Sequence, residues 1–148
     1  MKYPDIALLD STEKHYKLND FSSEKVLFFI YPKDDTPGCT NENNNFTELK
    51  PDFKKLGITC VGISPDSVEK HKKFIEKYSL KNILLSDPEK KVIESLGAWG
   101  EKKNYGKTYI GLIRSTFLVD VKSGDIEKEW RNVRAKGHAA RVLKELNV

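Results

Sequence analysis

Apolar residues along this chain fall into short continuous runs and into runs with helical spacing. The continuous runs cover residues 25–31, 57–64 and 114–120, and they are typical of central strands that are buried on both faces. A weaker fourth run covers residues 80–86. Residues 127–132 alternate after a Lys-Ser-Gly-Asp turn signal, which predicts the hairpin partner of the strand before them. The sheet should therefore contain both parallel and antiparallel strands.

Four segments between and after these strands have apolar residues at spacings of three and four. They cover residues 40–56, 67–78, 88–96 and 135–146. Such spacing predicts amphipathic helices, and the second helix is opened by an Asp/Ser cap. Pro51 lies inside the first helix, where it should kink or divide it.

The order of these elements predicts an α/β fold. A mixed central β-sheet with helices on both faces is expected, close to a thioredoxin-like arrangement, with an added N-terminal β-hairpin at residues 6–10 and 15–18. Residues 97–111 show no convincing periodicity, so we expect a long loop with a function of its own or high mobility.

Composition narrows the class of protein. The chain has 148 residues, 38% of them hydrophobic and 32% charged, which predicts one globular domain over residues 1–148. We expect a cytoplasmic protein, because the chain shows neither an apolar stretch of membrane-spanning length nor a secretion signal at its start. Acidic and basic residues interleave, so the net charge of +4 does not indicate nucleic-acid binding.

The two cysteines, Cys39 and Cys60, are too few for a disulfide framework and are expected to be reduced thiols. Cys39 follows the first apolar strand in the sequence YPKDDTPGCT, residues 31–40. This pattern places Cys39 in the first turn of a helix at the carboxyl end of a central strand. Unpaired backbone N–H groups and the positive end of the helix dipole favour a thiolate there, so Cys39 is a candidate nucleophile.

A thiolate alone does not account for fast chemistry, because the site must also hold the electrophile and stabilise its leaving group. Thr36 lies in the same turn and can offer a hydroxyl donor. Arg114 begins an otherwise apolar strand, where a guanidinium is out of place unless it pairs with an anion. We therefore expect Thr36 and Arg114 to join Cys39.

With these residues the chain resembles the peroxiredoxins of the bacterioferritin comigratory protein, or peroxiredoxin Q, class. The resemblance covers almost the whole chain, through the segments YPKDDTPGCT, VGISPDSVEKHKKFIEKY, LLSDPE, AWGEKKNYGKTYIG, RSTFLVD and VRAKGHA. Its most specific part is the pattern Pro-x-x-x-Thr-x-x-Cys, here Pro32, Thr36 and Cys39, together with a distant arginine on a strand.

The resemblance implies a thiol-dependent peroxidase that reduces hydrogen peroxide and organic hydroperoxides. Cys39 would be the peroxidatic cysteine and would become a sulfenic acid. Thr36 and Arg114 would bind the peroxide and the developing charge, Pro32 would shield the site, Gly38 would belong to the substrate-binding turn, and Glu42 would orient Arg114. The class implies a monomer without cofactor or metal, reduced by thioredoxin, glutaredoxin or a small thiol.

The chain departs from this class at Asn44. Most members carry a resolving cysteine at that position, five residues after the peroxidatic one, and others carry it about 36 residues further on, where the stretch KKFIEKY has none. Cys60 lies in an apolar strand and is expected to be a buried core residue. We therefore favour a cycle in which an external thiol reduces the sulfenic acid. The sequence is the same whether the asparagine at position 44 is natural or engineered.

A reactive thiol on this fold could also serve two other functions. A thiol-disulfide oxidoreductase would use Cys-x-x-Cys, but the fourth position is Glu42. A non-catalytic redox sensor or chaperone-like module would be oxidised once and then stop, whereas an enzyme would turn over.

Other polar residues carry weaker signals. His15, His71 and His138 share no spacing, and we expect surface or packing roles and no metal site. Asp34 and Asp35 are expected to be solvated. A cluster of lysines and aromatics in the 97–111 segment is interpreted as a substrate rim or partner-facing loop rather than a nucleic-acid stacking surface. It comprises Trp99, Lys102, Lys103, Tyr105, Lys107 and Tyr109.

Overall fold

The computed structural model describes residues 1–104 and 106–146. Its strands are β1 (Leu8–Leu9), β2 (His15–Tyr16), β3 (Lys25–Ile30), β4 (Ile58–Ser64), β5 (Ile83–Ser86), β6 (Trp99–Asn104), β7 (Lys107–Leu112), β8 (Ser115–Asp120) and β9 (Ile126–Trp130). Its α-helices are α1 (Pro37–Lys55), α2 (Val68–Tyr78), α3 (Lys91–Ser95) and α4 (His138–Leu146), and a 3₁₀ turn covers Leu18–Asp20.

Seven strands form one mixed sheet in the order β2-β1-β5-β4-β3-β8-β9. Strands β3, β4 and β5 are parallel, whereas β8 runs antiparallel to β3 and β9 runs antiparallel to β8. The predicted thioredoxin-like fold with a mixed sheet is confirmed, and so is the N-terminal hairpin, which joins the sheet through β1 and β5.

The central strand β3 is buried on both faces, as its unbroken apolar run predicted. Val26, Phe28 and Ile30 point into a cluster that also contains residues of α3 and of the N-terminal segment. Leu27 and Phe29 point into the opposite cluster, where residues of α1, α2 and α4 cover the sheet. Because alternate side chains of a strand point to opposite faces, one short strand anchors both layers of the core.

Helix α1 runs without interruption through Pro51, so the expectation that this proline would divide the helix is wrong. Phe46 and Phe53 lie on either side of Pro51, and both are fully buried in the same cluster. Pro51 itself is exposed. The packing of both halves of the helix outweighs the one backbone hydrogen bond that a proline removes.

Residues 97–111 were expected to form a loop, and this expectation is also wrong. Strands β6 and β7 pair antiparallel from Trp99 opposite Leu112 to Asn104 opposite Lys107, forming a sheet of two strands. Lys107 to Ile110 are exposed, so polar residues occur on both faces and hide the strand period. Tyr105 and the side chain of Lys103 lie outside the described part of the chain.

Across residues 1–104 and 106–146, none of the helices combines the length and the apolar character that crossing a membrane would require.

Candidate active site

Cys39 lies in the first turn of α1, close after the carboxyl end of β3. Thr36 is the N-cap residue, with an extended backbone, and Pro37 occupies the first helical position. Pro37 suits this position because its ring fixes a helical φ where no N–H partner is needed. The Cys39 side chain is fully buried and the thiol is free. Its place near the unpaired N–H groups at the start of the helix is the predicted one.

Arg114 approaches Cys39 from the neighbouring strand of the sheet. Its Nη2 lies 3.2 Å from the Cys39 Sγ. Arg114 directly precedes β8, whose first residue, Ser115, pairs with Ile30 at the end of β3. The antiparallel pairing of β3 with β8 therefore brings residues 75 positions apart into contact.

Gly38 lies directly beside this arginine. A Cβ atom at Gly38 would lie 3.4 Å from Nη2 of Arg114 and 3.7 Å from the Cβ of Ala135. Both are ordinary contact distances, so Gly38 forms part of the surface against which the guanidinium packs.

Glu42 follows Cys39 by one helical turn and forms an ion pair with Nη1 of Arg114. The carboxylate is fully buried, and its second oxygen, Oε2, has no hydrogen-bond partner among the described residues. Burial raises the pKa of Glu42 to about 7, because the loss of hydration outweighs the opposing attraction of Arg114. Arg114 thus uses one nitrogen on the carboxylate and the other on the sulfur.

Thr36 lies in the same turn, but its hydroxyl donates to the backbone carbonyl of Lys33 at 2.9 Å. The hydroxyl oxygen therefore offers its lone pairs rather than its hydrogen, which differs from the donor role expected from the sequence. Pro32 is exposed at the start of this turn.

The two positions relevant to resolution lie in different environments. Asn44 is half-buried on α1, whereas Cys60 lies on β4 between paired neighbouring strands and is 2% exposed. Burial raises the pKa of the Cys60 thiol well above its usual range. Cys60 is therefore a protonated core residue in this fold.

A buried polar network next to the site was missed by sequence reasoning. Asp34 is 8% exposed rather than solvated, because its carboxylate is bonded to Tyr31 and lies against His71. Asp34, Asp66 and His71 each place one possible metal-ligating atom within 4.8 Å of the others. Those atoms already have hydrogen-bond partners inside the network. The helical spacing of His71 and Phe74 was the one available signal that His71 faces inward.

The other two histidines differ in burial. His15 is exposed, whereas His138 is 1% exposed and lies 2.7 Å from the Thr116 hydroxyl. Burial, with the nearby charges of Arg141 and Arg114, lowers the pKa of His138 to about 4. His138 is therefore a neutral packing residue at neutral pH.

A free thiol at a helix start, in contact with a half-buried guanidinium on a thioredoxin-like sheet, is typical of a thiol-based redox enzyme. Comparison with known proteins agrees with this class. The model of the AhpC/TSA family matches residues 1–128. Peroxiredoxin Bcp of Bacillus subtilis is 45% identical over 145 residues, which cover 98% of this chain and 92% of that protein. Peroxiredoxin Bcp of Escherichia coli is 39% identical over 95% of this chain and 89% of its own length.

A solved structure of the Xanthomonas campestris bacterioferritin comigratory protein, described for its alkyl peroxide reduction activity, has a TM-score of 0.88 at 36% identity. The match covers 97% of this chain and 90% of that one. The chain belongs to the AhpC/TSA family and is, within it, a peroxiredoxin, a thiol-dependent peroxidase.

Proposed function

We propose that Cys39 is the peroxidatic cysteine and that the enzyme reduces hydrogen peroxide and organic hydroperoxides. The observation that carries this proposal is the 3.2 Å contact between Arg114 Nη2 and the Cys39 Sγ at the start of α1. The alkyl peroxide reduction described for the Xanthomonas campestris relative supports the organic substrates.

In the proposed reaction the Cys39 thiolate attacks the terminal oxygen of the peroxide. An S–O bond forms while the O–O bond breaks, so the sulfur is oxidised by two electrons to a sulfenic acid. The other oxygen leaves as hydroxide or alkoxide and takes a proton to become water or an alcohol. Negative charge thus moves from the sulfur to the leaving oxygen during the step.

Arg114 is the residue best placed to stabilise that charge. Its planar guanidinium has several donors in fixed directions, and Glu42 holds one side of the fork in place. Thr36 presents hydroxyl lone pairs in the same turn, which can accept the hydrogen of a bound peroxide. Gly38 lies beside the guanidinium, and we assign Pro32 the role of covering the site from solvent.

We further propose that an external thiol resolves the sulfenic acid. Position 44 holds asparagine, and Cys60 is enclosed in the sheet with a raised pKa. A thiol of thioredoxin, glutaredoxin or a small molecule would attack the Cys39 sulfur, forming a mixed disulfide as the S–O bond breaks and the oxygen leaves as water. A second thiol would then attack this disulfide, which frees the Cys39 thiol and leaves the reductant as a disulfide. The enzyme then needs no second cysteine of its own for turnover. We also propose that it acts as a monomer and that it is located in the cytoplasm.

Mass spectrometry after one equivalent of hydrogen peroxide tests the chemistry directly. We expect one added oxygen on Cys39, trapped by a sulfenic-acid reagent, and no bridge to Cys60. Steady-state peroxide consumption with an added dithiol should then show many turnovers per protein. A single oxidation without turnover would instead indicate a redox sensor and would contradict the proposed peroxidase cycle.

A further inference from the structure

Buried polar side chains lie beneath the loop of residues 31–36, which joins β3 to α1 and carries Thr36. Asp34 is anchored there by three hydrogen bonds. One carboxylate oxygen accepts from the Tyr31 hydroxyl at 2.6 Å, and the other lies 2.6 Å from Nδ1 of His71. The backbone N–H of Asp34 donates to Oδ2 of Asp66 at 2.8 Å. Both the side chain and the backbone of the loop are therefore fixed to the interior.

The neighbours of His71 determine where its hydrogens lie. Nε2 is 3.0 Å from the carbonyl oxygen of Leu85, and a carbonyl only accepts, so Nε2 carries a hydrogen. Nδ1 faces the Asp34 carboxylate, and one further proton is held between them. The ring is fully buried. His71 thus ties the loop to α2, which carries the ring, and to β5.

The same loop has a second aspartate tied to α2. Asp35 has a φ of 60°, in the left-handed region that few residues other than glycine, asparagine and aspartate adopt. Its carboxylate accepts hydrogen bonds from Lys77 at 2.9 Å and from the Tyr78 hydroxyl at 2.6 Å. Helix α2 therefore holds both neighbouring aspartates, one from inside the protein and one at the surface.

We propose that His71 is a positioning residue of the peroxide site, acting through Asp34 on the loop that carries Thr36. This inference rests on the proposed function of Cys39. The hydroxyl of Thr36 is itself bonded to the carbonyl of Lys33, so its direction follows the path of residues 33–36. Loss of the link between His71 and Asp34 frees the loop to relax and turns Thr36 away from the peroxide. His71 does not touch the reacting atoms.

Two substitutions at His71 separate its two bonds. His71→Gln keeps a donor near the position of Nε2 and loses the one toward Asp34, whereas His71→Asn keeps a donor near Nδ1 and loses the one toward Leu85. Asp10→Asn is the matched control, because Asp10 is 8% exposed, as Asp34 is, and likewise holds a turn, by accepting from Thr12 and Lys14. That turn belongs to the N-terminal hairpin, away from the site.

The readouts are the rate of Cys39 oxidation by hydrogen peroxide, the rate of Cys39 alkylation by iodoacetamide, and amide hydrogen exchange over residues 32–40. We expect His71→Gln to slow oxidation by about 10- to 100-fold, since small misplacements of a binding group cost up to that factor. Alkylation should change by less than about threefold, because it does not need Thr36. Hydrogen exchange should rise in the loop of the His71→Gln protein. His71→Asn should slow oxidation less than His71→Gln does, and Asp10→Asn should match the parent in all three readouts.

An oxidation rate of His71→Gln equal to that of the parent would overturn the proposal. Equal losses in oxidation and alkylation, shared by both His71 variants, would also overturn it, because they would indicate general destabilisation. If the parent itself is not oxidised at Cys39, the proposed function fails. In that case hydrogen exchange still decides whether His71 orders the loop.

Discussion

The two cysteines of this protein lie on the same side of the central sheet, and both are buried, yet their surroundings differ. Cys39 and Cys60 belong to one apolar cluster and are 0% and 2% exposed. The guanidinium of Arg114 lies 3.2 Å from the Cys39 sulfur. At Cys60, burial raises the pKa of the thiol, and the charge of Lys50 offsets only part of this rise. Burial therefore does not decide the chemistry of a thiol, and the charges and free donors around it do.

The secondary structure explains much of this difference. Cys60 is a strand residue between β3 and β5, where backbone N–H groups are used in the sheet ladder. Cys39 is in the first turn of a helix, where the N–H groups have no partner within the helix. The same side chain is therefore a core residue in one place and a candidate nucleophile in the other.

The largest expected effect is at Cys39. Cys39→Ser should abolish peroxide turnover, because a serine hydroxyl is not ionised at neutral pH and cannot form a sulfenic acid. Peroxide consumption with an added dithiol measures this loss. Residual turnover near the parental rate would show that the reactive sulfur lies elsewhere.

Arg114→Lys should give the next largest effect. Lysine keeps the positive charge but loses the planar fork that reaches both Glu42 and the sulfur. We expect Cys39 oxidation to slow by about 10- to 1000-fold, which corresponds to about 1.4 to 4 kcal/mol. Stopped-flow fluorescence or peroxide competition measures the rate constant. A rate within twofold of the parent would place Arg114 outside the reaction.

Asn44→Cys should change the fate of the sulfenic acid. Cys39 and Asn44 lie in one continuous helix, about 7.5 Å apart along its axis and on different sides. A disulfide therefore requires the first turns of α1 to unwind. Residues 40–45 are rich in weak helix formers, so we expect peroxide to produce a bridge between the two positions and to leave less sulfinic acid than in the parent.

Intact-mass spectrometry distinguishes these products. The parent without added thiol should accumulate sulfinic acid as the peroxide dose rises, while the variant loses two hydrogens instead. Equal sulfinic acid in both proteins, with no disulfide, would mean that this helix start does not unwind.

Glu42→Gln should alter the pH dependence of stability. The pKa of Glu42 is raised by burial from 4.5 to about 7, so its contribution to stability is fully present below pH 4.5 and is lost as the pH rises through 7. The free energy of unfolding of the parent should fall relative to the variant by up to about 3 kcal/mol across that window and stay level above it. Urea titrations from pH 4 to 8 measure the difference. A difference that does not vary with pH would show that folding leaves the pKa of Glu42 at its ordinary value.

The smallest effect is expected at the second cysteine. Cys60→Ala should leave peroxide turnover within about twofold and lower the free energy of unfolding by about 1 kcal/mol, because it removes one buried sulfur from a packed strand. Turnover assays and thermal unfolding measure the two quantities. Equal losses of turnover in the Cys39 and Cys60 variants would contradict the contrast between a reactive and a structural cysteine, since both sulfurs would then take part in the reaction.

The sequence by itself determined the local features of this protein. The apolar runs predicted β3, β4 and β8, and the Thr-Pro-Gly-Cys turn predicted that Cys39 would begin a helix, because both signals depend on neighbouring residues. Tyr109 and Ile110 illustrate the opposite case. They lie in β7, which forms a separate sheet of two strands with β6 in the described part of the chain, and no apolar period marked either strand.

Only the tertiary structure decided the contacts between distant residues. The sequence named Arg114 as a partner for Cys39, but its two bonds depend on how β8 pairs with β3. The burial of Asp34 had no comparable local signal, because two adjacent aspartates in a turn are usually solvated, and the spacing of His71 and Phe74 indicated only the inward face of the helix. The burial of Asp34 and His71 follows from the packing of α2 against the end of the sheet, where each polar atom must find a partner inside the protein.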